Sequence, residues 1–228
     1  MLKRNEHIRR LEILLEKIIK NKNLHIRWLN TLSYLEHTGS KKIHKANLGK
    51  YLTERILSHA CEEARHAYFF KKSIRKIEPT ISNNFNYDYK NLLAGLSSFK
   101  YFQLLDLKVY RFINNYFSSL NKEFIAYLCY LYVTYLIEER ADMVFAIYQE
   151  RLNQENIPIN LKSVIYEEKK HLKEIYQLIQ DNDSSYQKHL FELSNIETNL
   201  FDWYLYRLEK MVFLSNEDLG VVDQEDLV

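Results

Sequence analysis

Apolar residues recur every third or fourth position along nearly the whole chain, the spacing of amphipathic helices and not of strands. The pattern predicts a first helix over about Leu2 to Lys20 and, after a weak break at Asn21-Lys22-Asn23, a second over about Leu24 to Asn47. Gly49 punctuates before a third, about Tyr51 to Ile77, which Pro79 and an Asn-rich loop end. A fourth is expected from about Tyr87 to Leu120. Asn121 is placed to cap a fifth, about Lys122 to Gln154, and Pro158 breaks the chain before a sixth, about Leu161 to Gln180. After a polar turn, Asp181 to Ser185, a last helix runs to about Leu214. The fold expected is all-α, a single domain over residues 1–214 followed by an acidic, unpatterned and flexible tail over residues 215–228.

Composition sharpens this picture. Four glycines and two prolines in 228 residues are too few for a turn-rich sandwich or a doubly wound sheet, and suit long helices. The longest apolar run, Phe124 to Ile137, is too short to span a bilayer and carries four tyrosines and a threonine, so it reads as a buried core helix. Cys61 and Cys129 make neither a metal spacing nor a disulfide framework, and no signal segment is evident, so a cytoplasmic location is expected. A net charge of +2 makes no electrostatic case for nucleic acid, and Lys3, Arg4, Arg9 and Arg10 read as a solvated helix face.

Two segments carry chemistry: Glu62-Glu63-Ala64-Arg65-His66 and Glu167-Glu168-Lys169-Lys170-His171. Residues three apart share a helix face, so Glu63 with His66, and Glu168 with His171, can hold one ion together. Both pairs sit within apolar stripes, Ile56, His59, Glu63, His66, Phe70, Ile74 in one and Ile165, Glu168, His171, Ile175, Leu178 in the other. A buried, unpaired carboxylate costs several kcal/mol, and a metal ion is an economical compensation. One Glu-x-x-His among eight histidines is expected about once by chance; a Glu-Glu-x-x-His occurring twice is expected roughly a few times in a thousand. A two-ion site needs one glutamate from each of two further helices. Glu36 fits, lying in the stripe Ile26, Leu29, Leu32, Glu36, Ile43 with the small residues Gly39 and Ser40 one turn on. The other is Glu138 or Glu139, and the fifth helix is too uniformly apolar for periodicity to decide.

The order Glu36, Glu63-x-x-His66, Glu138, Glu168-x-x-His171 resembles the ferritin-like di-iron carboxylate superfamily, over about residues 24–181. The resemblance implies a ferritin-like four-helix bundle with additional helices at the N-terminus, in the crossover and at the C-terminus. It implies metal ligands Glu36, Glu63, His66, Glu138, Glu168 and His171. It also implies that Glu62 and Glu167 each orient a histidine of the opposite motif, with Asp142, one turn beyond Glu138, as a further supporting residue. Two phrases, Glu62-Glu63-Ala64-Arg65-His66 and Ile137-Glu138-Glu139-Arg140, are similar to the bacterial tRNA hydroxylases, and the second favours Glu138 over Glu139. His59, one turn before Glu63, is read as a hydrogen-bonded core histidine beside the site. Tyr34, Tyr132, Tyr135 and Tyr166 fall near it in sequence and are read as packing residues.

Four carboxylates and two imidazoles suit two iron ions, with manganese or a mixed pair as alternatives, and leave open positions for dioxygen or peroxide. The leading expectation is an oxygen-activating hydroxylase or oxidase of a small or nucleotide-like substrate, served by an electron-transfer partner, with no membrane role and a monomeric or dimeric state. The alternatives are a ferroxidase or peroxide scavenger without organic substrate, and a metal-free helical interaction protein.

Overall fold

The computed structural model describes residues 2–81 and 85–213. The acidic tail expected over residues 215–228 lies outside these. Among the described residues there are seven α-helices and no strand: α1 (Leu2–Lys20), α2 (Lys22–Lys45), α3 (Glu54–Ile77), α4 (Gly95–Phe117), α5 (Lys122–Gln154), α6 (Lys162–Asn182) and α7 (Tyr186–Phe213). None is long and apolar enough to cross a membrane.

The helix starts follow side-chain chemistry. Asn21 caps α2 by accepting from the Asn23 and Leu24 amides. Thr53 caps α3 through Ile56, and Asn121 caps α5 through the Phe124 amide at 2.8 Å. At 33 residues α5 is roughly 50 Å long, and buries Leu128, Leu131, Tyr132 and Leu136 from the apolar run.

Four helices surround the site. In α2, Ser33 donates to the Ala67 carbonyl and Ser40 to the Ala60 carbonyl, so α2 and α3 run antiparallel. Contacts from Arg55 to Glu174 and from Arg65 to Glu167 make α3 and α6 antiparallel, and those from Tyr132 to Asp183 and from Gln149 to Leu161 do the same for α5 and α6. It follows that α3 and α5 point the same way, and the chain must return along the bundle between them. Residues 85–94 and α4 make that return. Outside this set, α4 packs on α5 and α7, and α1 on α5, α2 and α7.

The fourth helix begins at Gly95 and not near Tyr87. Polar side chains of α2 hold residues 86–93 out of α-helical geometry, leaving one short 3-10 turn at Tyr89–Asn91. Asn30 donates to the Asn86 and Asn91 carbonyls, Arg27 donates to the Leu92 carbonyl, and Thr31 accepts from the Leu93 amide at 2.7 Å. Ala94 then takes a left-handed conformation, φ 51°, that turns the chain into α4.

Candidate metal centre

Glu36 from α2, Glu63 and His66 from α3, Glu138 from α5, and Glu168 and His171 from α6 are all buried and converge between the four helices. Their donor atoms form two adjacent groups, each with its atoms within 4.8 Å of one another: Glu36, Glu63, His66 and Glu168; and His59, Glu63, Glu138 and His171. Each group could hold a metal ion. Glu63 belongs to both. Glu168 also faces both ways, with Oε1 2.9 Å from His66 Nδ1 and Oε2 3.6 Å from His171 Nδ1.

The helix geometry explains the convergence. Glu63 and His66 are one turn apart on the buried stripe of α3, and Glu168 and His171 occupy the equivalent places on α6. Of the two adjacent glutamates of α5, Glu138 points inward, whereas Glu139 points out toward Arg4 at 3.7 Å. Gly39 leaves the room that its lack of a side chain suggested: a Cβ there would stand 3.0 Å from Glu63 Oε2.

The two histidines are strapped crosswise. His66 Nε2 donates to Glu167 Oε2 at 2.7 Å, and His171 Nε2 donates to Glu62 Oε2 at 2.6 Å. Arg65 in turn donates two hydrogen bonds to Glu167. Because each Nε2 is committed outward, each Nδ1 faces the interior. There both Nδ1 atoms and both oxygens of Glu168 are buried without a hydrogen-bond partner. The 2.9 Å approach of His66 Nδ1 to Glu168 Oε1 is a close contact that lacks hydrogen-bond geometry. Buried polar atoms left unpaired are costly and rare, and four of them facing one space fit a cation between them.

The protonation of the centre has the same origin. Burial, then the Glu63 carboxylate, holds the Glu36 pKa well above the usual carboxylate range. Burial and the neighbouring Glu168 push Glu138 up to about 8. Burial alone lowers a histidine pKa, but the surrounding carboxylates outweigh it. Glu168 and Glu36 raise His66 to about 12, and Glu138 and Glu168 raise His171 to about 11. Without a cation, protons hold these carboxylates together.

Comparison with protein-family models, curated proteins and solved structures finds no match. The site therefore stands on its own geometry.

His59 is the buried, hydrogen-bonded histidine expected beside the site, with Nε2 3.2 Å from Glu63 Oε1 and 3.1 Å from Glu138 Oε1. Its ring lies 4.3 Å from that of His171, and its Nδ1 is 2.9 Å from the Tyr130 hydroxyl. Asp142 is half-buried and faces Lys169 at 3.6 Å. Of the tyrosines, Tyr166 is exposed, Tyr132 binds Asp183, Tyr135 packs on Tyr176 and Tyr34 on Tyr87. The tyrosine that approaches the centre is Tyr130, whose signal in the sequence was its place two turns before Glu138 on α5. A buried ion pair that sequence reading missed lies beside the site, where Arg140 clasps Glu197 and stacks 3.9 Å over Phe201.

A cavity of about 960 Å³ opens onto the centre, reaching Glu36, His59, Glu63 and Glu138. Its remaining walls are largely apolar, including Phe99, Phe102, Ile125, Val133 and Ile137.

Proposed function

We propose that this chain is a ferritin-like di-iron carboxylate protein that activates dioxygen or peroxide to oxidise an organic substrate, as a hydroxylase or oxidase. The observation that carries the reading is the set of four orphaned inward atoms, Nδ1 of His66, Nδ1 of His171 and the two oxygens of Glu168. The crossover between the parallel helices α3 and α5 supports the ferritin-like assignment.

In this reading Glu36 and His66 serve one ion, and Glu138 and His171 the other, with Glu63 and Glu168 shared. Carboxylate oxygens and imidazole nitrogens without thiolates favour iron or manganese over a structural zinc. The pair of ions, when bound, supplies reductive activation of dioxygen. The protein's part is to fix the donors, keep the centre dry and admit the substrate. Glu62 and Glu167 hold the imidazoles in one orientation. Four carboxylates nearly cancel the charge of two divalent ions, which makes their burial tolerable. The cavity against Glu36, Glu63 and Glu138 supports an organic substrate over iron storage.

Hydroxylation balances as one substrate C–H bond, dioxygen, two electrons and two protons giving C–OH and water, so a reduced electron carrier has to dock. The test is protein produced with iron, assayed for metal per chain, reduced without air and then exposed to dioxygen. About two irons per chain and a new absorbance on exposure are expected. Two bound irons with an unchanged spectrum would overturn the oxygen chemistry, and less than one ion per chain would overturn the centre.

A further inference from the structure

Resting on that reading of the centre, we propose that the substrate is an amphipathic molecule with a long unbranched apolar chain and an anionic head. The chain fills the cavity and the head sits at its lysine-bearing mouth.

The cavity is bounded by residues from Glu36 to Ala46 on α2 and from Lys122 to Phe145 on α5. The end of α2 and the start of α5 lie together, because Tyr51, just past α2, stacks on Tyr127 with ring centroids 4.8 Å apart. One part of the cavity therefore runs along the bundle, from the carboxylates at Glu36 and Glu138 to Lys45 and Lys122. Sixteen residues of α5 separate Glu138 from Lys122, roughly 24 Å at the helical rise. An extended hydrocarbon advances about 1.3 Å per carbon, set by its 1.5 Å bonds, so roughly eighteen carbons cover that length. About 960 Å³ is ample for such a chain.

The walls along this path suit methylene groups. Phe99, Phe102, Ile125, Ala126, Val133 and Ile137 line it, and at α4 the rim includes exposed Leu107 and Tyr110. An apolar chain gains from leaving water here. A flat polar base would leave its edge groups unpaired against those walls.

Charge sets the direction. The inner end, at Glu36, His59, Glu63 and Glu138, carries no lysine to pair with an anionic head. At the mouth, Lys42 is neutralised by Asp106 across the opening between α2 and α4. Lys45 and Lys122 also line the cavity, are exposed, and form no ion pair among the described residues. They are placed to receive a carboxylate or phosphate head. With the head held there, the far end of the chain lies against Glu36, Glu63 and Glu138, and oxidation falls at the carbons most remote from the head.

The experiment is fluorescence titration of the whole protein, with its metal content recorded, using cis-parinarate as the probe. Palmitate, hexadecanol, hexadecyl phosphate and AMP serve as competitors. Saturable one-to-one binding is expected, displaced by palmitate and hexadecyl phosphate and untouched by AMP. Their relative strength distinguishes a carboxylate from a phosphate head. The surface double variant K45E/K122E is expected to bind palmitate three- to tenfold more weakly and hexadecanol unchanged. A126W, filling the path, is expected to abolish probe binding while circular dichroism and metal content stay as in the parent. Displacement by AMP as strong as by palmitate, no probe binding, or an unchanged palmitate affinity in K45E/K122E would each overturn the proposal. Two bound irons without palmitate binding defeats the substrate class alone. Palmitate binding by protein that takes up no iron defeats the oxidative reading and this substrate role with it, leaving only a lipid site.

Discussion

His171 on α6 and Glu62 on α3 meet across the bundle, with Nε2 2.6 Å from Oε2, and His66 and Glu167 repeat the same contact in the opposite direction. Each motif thus contributes a glutamate and a histidine that face the centre and one further glutamate that steadies the other motif. Removing a carboxylate that orients a metal-bound imidazole typically weakens metal binding about 10–100-fold. Glu62→Ala and Glu167→Ala are each expected to do so for iron or manganese, measured by equilibrium competition with a chelator, with helical content retained. An unchanged affinity in both would remove the straps from the metal reading.

Glu168 turns one oxygen toward each histidine, and Glu63 belongs to both donor groups. Glu168→Ala is therefore expected to lower the bound metal from about two ions to fewer than one, whereas His171→Ala loses chiefly one. Metal analysis after gel filtration reads the difference. Equal losses in the two variants would argue against a shared carboxylate.

His59 approaches Glu63 and Glu138 but not Glu36. His59→Ala should weaken the second of the two ions selectively, giving two distinct affinities in a titration where the parent gives closer ones. Tyr130→Phe, which removes only the hydroxyl near His59 Nδ1, is expected to shift that affinity by less than tenfold.

The centre also predicts an unusual pH response. A group with a higher pKa in the folded than in the unfolded chain favours folding while protonated in both states. It stops doing so as pH rises through the folded value. His59, His66 and His171, at about 9, 12 and 11 against 6.5, and Glu138, at about 8 against 4.5, all act in this sense. Each therefore lowers stability as pH rises across its window. His25, held near 4 by burial, has already made its full contribution above 6.5, and Lys71, held near 8, opposes the trend only above about 8. The Tm of metal-free protein is thus expected to fall between about pH 6.5 and 8. Loading with metal, which displaces these protons, should flatten the slope and release acid measurable in weak buffer.

Gly39 separates stability from binding. Replacing a helical glycine by alanine favours the helix by up to about 1 kcal/mol, yet the new methyl stands 3.0 Å from Glu63 Oε2 and must displace it. Gly39→Ala is expected to raise the Tm of the metal-free protein while lowering metal affinity. A variant improved in both respects would show that the space beside Glu63 has no role.

The parts legible in the sequence were those written in local spacing: the helices, the Asn121 cap, and five of the six inward side chains, since Glu and His on an apolar stripe have one way to face. Glu138 against Glu139 was not legible from periodicity, because α5 is apolar on nearly every side. The start of α4 was hidden for another reason. Residues 86–93 look α-helical by pattern, and side chains far away in sequence, among them Asn30, Thr31 and Arg27 more than fifty positions earlier, hold them otherwise. The place of Tyr130 beside His59, like the cavity, arises from how α3, α4 and α5 stand relative to one another, which no single helix encodes.

Because α3 and α5 are parallel, the members of each donor group come from both sides of a long crossover: Glu36, Glu63 and His66 join Glu168 in one group, and His59 and Glu63 join Glu138 and His171 in the other. Neither half of the polypeptide can assemble a complete set. A nascent chain leaving the ribosome therefore has no finished metal trap until α6 has emerged and docked. A metal ion would then be acquired late, only once α6 is in place, and its arrival would fasten two helical hairpins that synthesis made at different times.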